Sequence, residues 1–348
     1  MMNKTTWQRV KLGEIAEFSN GKSRPNNVGN IPIYGGNGVL GYADESNCKD
    51  ETIILGRVGA YCGCVYYENQ PIWVSDNALI AKPKNHNSIK YIYYLLKYMN
   101  LNSHAQGSSH PLITQSLLNS LEVEVCVDYE AQQRIAEILS SLDDKIDLLH
   151  RQNKTLESLS LTLFRHTFID NPNRNAWQIG KLGDYVTPKK GKNITHKNAI
   201  KGIYPVIAGG LEPAYYHNQS NTQSPVITIS ASGANAGFVN IHYCPVWSSD
   251  SSYIDSTITP YIYISYLFLK HNQNILYDKQ EGSAQPHIYP SHIMELEMPH
   301  YPKELMESFE TQIQVYFNKI SHNMKEIQNL ESLRDIMLPK LLSGEMEV

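Results

Sequence analysis

The stretch WQRVKLGEIAEFSNGK, residues 7–22, decides the fold, because the chain repeats it as WQIGKLGDYVTPKKGK at residues 177–192. Trp, Gln, Lys, Leu, Gly, an acidic residue and a closing Gly-Lys keep their order and spacing. The match continues outward. IPIYGG (31–36) is answered by YPVIAGG (204–210), and IILGRVGAYCGCV (53–65) by ITISASGANAGFV (227–239). PIWVSD (71–76) is answered by PVWSSD (245–250), and GSSHPLITQS (107–116) by GSAQPHIYPS (282–291). The offset drifts only from 170 to 175 residues. Two copies are too few for a solenoid. A whole domain has been duplicated in tandem, together with the segment that follows it.

Within each copy, TIILGRVG and VITISASG are β-branched runs closed by glycine, which predicts strands. Gly35, Gly36, Gly38, Gly41, Gly209 and Gly210 are expected at turns that need positive φ. SIKYIYYLLKYMN (88–100) and PYIYISYLFLKHN (260–272) each fit one amphipathic helix. The expected class is α+β. Cys62-Gly-Cys64 has the spacing of a ligand pair, but its counterpart is Ala236-Gly-Phe238 and no second pair exists. The cysteines read as small strand residues rather than zinc ligands.

The segments after the two domains have a different pattern. Ile135, Leu139, Leu142, Ile146, Leu149, Leu156 and Leu163 form a narrow apolar stripe, with Asn153 at one seam position. Ile313, Phe317, Ile320, Met324, Ile327 and Leu330 form a second, continued by Leu333, Met337 and Leu341. Alternating spacings of three and four predict coiled-coil helices, each of about 40 residues or roughly 60 Å. DNPNRN (170–175) reads as a linker, and Pro302 suits the start of the second helix. The expected order is domain (1–128), spacer helix (129–170), domain (171–301), spacer helix (302–348). The helices are expected to pair antiparallel and hold the domains apart, with an approximate twofold relation between the halves.

Composition bounds the function. The chain has 348 residues, 41% hydrophobic and 18% charged, as a folded soluble protein would. The N-terminus lacks the apolar core of a signal peptide, and no apolar run reaches membrane-spanning length. Five cysteines without framework spacing suit a reduced, intracellular protein. Tyrosine, at 23 against 7 Phe, suggests binding surfaces. The net charge of −4 is unusual for a nucleic-acid binder, but it is unevenly placed. Residues 1–128 carry 11 basic and 11 acidic side chains, and residues 171–301 carry 9 and 8. The acidity sits in the helical segments, with 5 and 7 in 129–170 and 5 and 8 in 302–348.

Taken together, these motifs resemble the specificity subunit of type I restriction–modification enzymes. The resemblance covers the whole chain. It rests on W…KLGE and W…KLGD, IPIYGG, GRVGAYCG, WVSDNAL, the GSSHP and GSAQP turns, and the helix endings LESLSLTLFRHTF and LESLRDIMLPKLLSGEMEV. It implies two target recognition domains, each reading one part of a split sequence in double-stranded DNA. It implies helices that fix the spacer and dock two modification subunits, which bind S-adenosylmethionine and methylate adenine. Restriction subunits, two per complex where present, would add ATP-driven translocation and cleavage. The chain itself would bind no cofactor and catalyse nothing, in the cytoplasm of a bacterium or archaeon.

The residues agree with a non-catalytic reading. An Asn/Asp-Pro-Pro-aromatic methyltransferase motif is missing, since NPNR (171–174) lacks the second Pro and the aromatic. The Walker pattern GxxxxGK(S/T) is missing too. Gly36-Asn-Gly38-Val-Leu-Gly41 matches GxGxxG, but no helical run follows, so it reads as a turn between strands. His110 and His287 lack a nucleophile and acid at motif spacing. A two-headed carbohydrate- or protein-binding module remains the alternative, distinguished by whether a methyltransferase co-purifies.

DNA contact needs cations on phosphates and a few groups that reach base edges. Lys22, Ser23 and Arg24 form one candidate loop. Lys189, Lys190, Lys192 and Lys197 form its counterpart. Arg57 faces Ala231 across the repeat, as altered base readout would produce, because Arg pairs bidentately with guanine. Ser108, Ser109, His110, Ser283, Gln285 and His287 lie in the matched polar turns. Trp73 and Trp247 read as core, and Asp76 and Asp250 as turn caps.

Overall fold

The computed structural model describes residues 7–26, 28–107, 111–282 and 286–348. Its contacts divide the chain into two units, residues 1–148 with 326–348, and residues 149–325. The division cuts both long helices, so each unit holds one domain and part of each helix.

The first unit contains β1 (Trp7–Lys11), β2 (Ala16–Asn20), β3 (Ile31–Gly35), β4 (Gly38–Ala43), β5 (Thr52–Gly56), β6 (Val65–Glu68), β7 (Trp73–Val74), β8 (Ala78–Pro83) and β9 (Glu122–Cys126). Its helices are α1 (Leu12–Ile15), α2 (Ile89–Tyr98), α3 (Gln115–Ser120) and the start of α4 (Tyr129–Phe164). The sheets are β1-β9, β2-β8-β5-β6 and β4-β3-β7. The second unit contains β10 (Ile179–Lys181), β11 (Lys189–Lys190), β12 (Tyr204–Ile207), β13 (Tyr215–His217), β14 (Val226–Ser230), β15 (Val239–His242), β16 (Trp247–Ser248), β17 (Ser251–Asp255) and β18 (Glu297–Pro299). Helices α5 (Ile262–His271), α6 (Gln273–Asp278), α7 (Pro290–Met294) and the start of α8 (Lys303–Leu342) complete it. Its sheets are β10-β18, β11-β17-β14-β15 and β13-β12-β16, which repeat the first unit strand for strand.

The opening motif is structural. In WQRVKLGE the acid reaches back to the strand end, where Lys11 N–H donates to Glu14 Oε1 at 3.1 Å. In WQIGKLGD, Lys181 N–H donates to Asp184 Oδ2 at 2.8 Å. Each is half of a capping box that closes a single turn. The leucine between, Leu12 or Leu182, is fully buried. Its N–H donates to the carbonyl of Leu121 or Leu296. The repeated letters therefore build the domain and leave recognition to other positions.

β5 is buried along its whole length, as a β-branched central strand should be. Helix α2 starts at Ser88, whose Oγ accepts from Tyr91 N–H, and buries Tyr91, Ile92, Leu95 and Leu96 on one face. Of the glycines expected at positive φ, only Gly38 adopts it. Positive φ falls instead on the matched pairs Gly59/Gly233, Gly63/Gly237 and Gly107/Gly282, and also on Gly344, Asn85 and Asn100. Gly35 and Gly209 serve close approach. A Cβ on Gly209 would lie 2.6 Å from the Ser232 carbonyl oxygen.

Within the first unit, Ile135 and Leu139 of α4 share a core with Leu341 and Leu342 of α8. Arg334 of α8 pairs with Asp143 at 2.9 Å. Lys145 pairs with Glu326 at 3.3 Å. Within the second unit, Phe164 and Phe168 pack with Phe309, Ile313, Phe317 and Ile320. Residue numbers ascend on one helix as they descend on the other, so the pairing in each unit is antiparallel. Ile146, Leu149 and Ile327 are buried. Leu142, Leu156, Leu163 and Leu330 are half-buried.

The structure differs from the sequence expectation at two seam positions. Met324 and Leu333 are 40% and 44% exposed. Asn323 takes the inward place instead, fully buried, with Nδ2 donating to Gln152 Oε1 at 2.7 Å and Asn153 Oδ1 at 2.8 Å. About three turns further on, Arg334, paired with Asp143, faces inward in place of Leu333. The two hydrogen bonds satisfy the Asn323 amide nitrogen, while its Oδ1 is buried without a partner.

The helix caps differ between the units. The residue before α5, Tyr261, supplies no side-chain cap. Glu310 of α8 does so from outside, accepting from Tyr263 N–H and Ile264 N–H, both at 2.9 Å. Burial raises its carboxyl pKa, three backbone N–H groups lower it, and it settles at about 7 against an ordinary 4.5. An acid with a raised folded-state pKa favours folding at low pH. That contribution is complete below 4.5 and is lost as pH rises through about 7. The unfolding free energy of the wild type, relative to Glu310→Gln, should fall by about 3 kcal/mol between pH 4.5 and pH 8. Denaturant titrations of both proteins across that range check this, and a pH-independent difference would contradict it.

Candidate nucleic-acid interface

The basic loops leave the two sheets at equivalent, doubly held points. Lys22 N–H donates to the Val74 carbonyl at 3.0 Å, and Lys192 N–H to the Ser248 carbonyl at 2.9 Å. The Lys22 carbonyl accepts from Trp73 Nε1 at 3.4 Å, and the Lys192 carbonyl from Trp247 Nε1 at 2.7 Å. Each tryptophan thus belongs partly to the sheet and partly to the loop anchor. The preceding glycine must be bare, since a Cβ on Gly21 would lie 2.0 Å from the Ser75 carbonyl oxygen. Beyond the anchors, Lys22, Ser23, Arg24, Lys192 and Lys197 are exposed. Lys189 and Lys190 form the edge strand β11, opposite Tyr253 and Ser252, and are also exposed.

A second pair of segments is joined in the same way in each unit. Ile113 N–H donates to the Arg57 carbonyl, and Ile288 N–H to the Ala231 carbonyl, both at 2.9 Å. Gly59 N–H donates to the Pro111 carbonyl, and Gly233 N–H to the Pro286 carbonyl, both at 3.1 Å. In each unit the polar turn is therefore pinned to the segment that carries Arg57 or Ala231. Cys62 helps fix that segment, its thiol donating to the Arg57 carbonyl at 3.2 Å. Burial pushes the Cys62 thiol pKa up, which keeps it protonated for that role. Ser108, Ser109, His110, Ser283 and Gln285 lie outside the described residues. His287 sits in a two-way bridge with Glu281, and its ring stacks on Tyr289 with centroids 6.1 Å apart. Asp250 accepts from Ser232 Oγ, beside the same turn. Asp76 is exposed.

Arg57 Nη1 donates to Asn20 Oδ1 at 3.3 Å. Its partner is a neutral amide, and its Nε is buried without a hydrogen-bond partner. Asn20 was not singled out by sequence reasoning, although aligning the two opening stretches exposes its significance. Asn20 aligns with Lys190, and Arg57 with Ala231. The first unit places a cation at this site from the end of β5 and a neutral amide from β2. The second places a cation from β11 and leaves the other position small. Along the alignment, one of these two positions carries a cation in each copy, Arg57 in the first and Lys190 in the second.

Two strand-for-strand equivalent α+β units, each with an anchored basic loop beside a position where the copies diverge, define a duplicated recognition protein. Residues 4–158 match the model of the type I restriction modification DNA specificity domain. The chain is 25% identical to the MjaIX specificity subunit of Methanocaldococcus jannaschii, across 98% of this chain and 94% of that one. It is 23% identical to a putative type I specificity subunit of Mycoplasma pneumoniae, across 97% and 96% of the two chains. The crystal structure of a type I restriction–modification S subunit from M. genitalium shares the fold, with a TM-score of 0.69 at 20% identity over 98% of both chains. Residues 4–158 thus match a type I DNA specificity domain, and over nearly its whole length the chain is similar to type I specificity subunits. The matched model describes DNA specificity, and the relatives are specificity subunits of type I restriction enzymes. Among the described residues, no helix is long and apolar enough to cross a membrane.

Proposed function

We propose that each unit reads one part of an asymmetric, split sequence in double-stranded DNA, that the long helices set the gap, and that two modification subunits dock on this chain. The observation that carries this reading is the exchange of Arg57 and Asn20 for Ala231 and Lys190 within otherwise matching frameworks. A shared scaffold supplies position, and a relocated cation presents a different donor to a base edge. In this reading S-adenosylmethionine and adenine methyl transfer belong to the modification subunits, and no cofactor is assigned to this chain. Two restriction subunits would add cleavage where present. The complex would work in the cytoplasm of a bacterium or archaeon. The match of residues 4–158 to a DNA specificity domain favours DNA over the carbohydrate- or protein-binding alternative.

The basic loops supply the sequence-independent part of binding. Replacing Lys189, Lys190 and Lys192 by Ala in the assembled complex should weaken binding to all duplexes. It should also lower the slope of log K against log salt by roughly 2–3, close to one released counterion per lost phosphate contact. Titrations at several salt concentrations check this. An unchanged slope would place the cluster away from DNA.

A further inference from the structure

Tyr42 and Tyr216 occupy the same ladder position in the two units, opposite Pro32 on β3 and Pro205 on β12. They are 56% and 54% exposed. The polypeptide that leaves each basic loop comes back to this point. A Cβ on Gly29 would lie 2.2 Å from the Ala43 carbonyl oxygen, and one on Gly202 would lie 2.4 Å from that of His217. In both units the loop therefore starts at the tryptophan-held carbonyl of Lys22 or Lys192 and ends against the residue that follows the exposed tyrosine. In the second unit Tyr216 shares a shallow cleft with His196 and Lys201, on the same loop as Lys197.

We propose that Tyr42 and Tyr216 contact the DNA backbone, one in each half of the target, beside the phosphates held by the basic loops. A phenol offers a hydroxyl donor to a phosphate oxygen and a ring face to a deoxyribose. A large exposed aromatic side chain is kept at one register in both units, and in the second it lies beside Lys201, a combination suited to a phosphate and its sugar. Because the two tyrosines are identical while Arg57 and Ala231 differ, they position the DNA and do not select its sequence. This rests on the reading that the basic loops face DNA.

The test uses the assembled complex with its modification subunits and two duplexes, one carrying the methylated motif and one lacking it. Tyr42→Ala and Tyr216→Ala should each weaken binding to both duplexes by the same factor, about tenfold, as loss of a hydrogen bond to a charged group does. The salt slope should stay unchanged, because no charge is removed. The methylated motif should stay unchanged too. Thermal melting should match the wild type, since both side chains are exposed. Unaltered affinity, or altered preference at one motif position, would overturn the proposal. The triple lysine variant, run alongside, separates the two readings. If it acts and the tyrosine variants do not, only this inference fails. If neither acts, the DNA-facing assignment of the loops fails as well.

Discussion

A fragment of residues 1–170 should form a twofold dimer. It retains the first domain and the whole of α4 but lacks α8. Ile135 and Leu139 then lose Leu341 and Leu342, and Phe164 and Phe168 lose Phe309 and Ile313. Each uncovered Leu, Ile or Phe side chain costs about 1.5–3 kcal/mol when left in water. A second α4 can cover them, because the two long helices share apolar registers at Ile146/Ile320, Leu156/Leu330 and Leu163/Met337. The substitution is imperfect. Asn153 loses the Asn323 amide and Asp143 loses Arg334, so the dimer should be less stable than the intact pairing. Antiparallel pairing of identical helices creates an isologous interface that closes at two copies. Sedimentation equilibrium should give twice the fragment mass at micromolar concentration. A stable, folded monomer would contradict the pairing scheme.

Phe317→Ala should cost about 3–5 kcal/mol of stability in residues 149–325, the range for deleting a buried aromatic side chain without backfilling. Phe317 is fully buried. Its ring stacks on Tyr263 at 4.5 Å, with 3° between the planes, and meets Tyr266 edge-on at 5.7 Å. It thereby joins α8 to α5, the helix that Glu310 caps from the same face of α8 about two turns earlier. Native-state hydrogen exchange should show α5 amides losing protection while β5 amides in the first unit keep theirs. Equal loss in both units would show that the two units unfold as one.

The duplication and the element types were legible in the sequence because they rest on identity and periodicity, which survive without coordinates. The seam was legible except where polarity misled. Met324 outranks Asn323 in hydropathy, yet Asn323 is inside, because Gln152 and Asn153 on the facing helix meet its amide. No pattern within a single helix reveals a partner 170 residues away. The basic loops were visible as charge clusters, but their anchoring by Trp73 and Trp247 was not. An indole that packs in a core and donates to a loop carbonyl looks like any core tryptophan. Asn20 escaped notice because it is the acceptor for Arg57 across two strands. Tyr42 and Tyr216 escaped because equivalent ladder positions depend on strand register, and the strand spacing differs between the two hairpins.

The central claim is that two units of one design read two different parts of one DNA target. Mapping methylated adenines in host DNA tests it most directly, with the modification subunits supplied alongside either the full chain or residues 1–170. The full chain should mark an asymmetric motif of two parts separated by a fixed gap. The fragment should mark an inverted repeat of one of those parts, because two identical reading heads on a twofold axis demand a palindrome. A continuous motif for the full chain, or the original asymmetric motif for the fragment, would contradict the account.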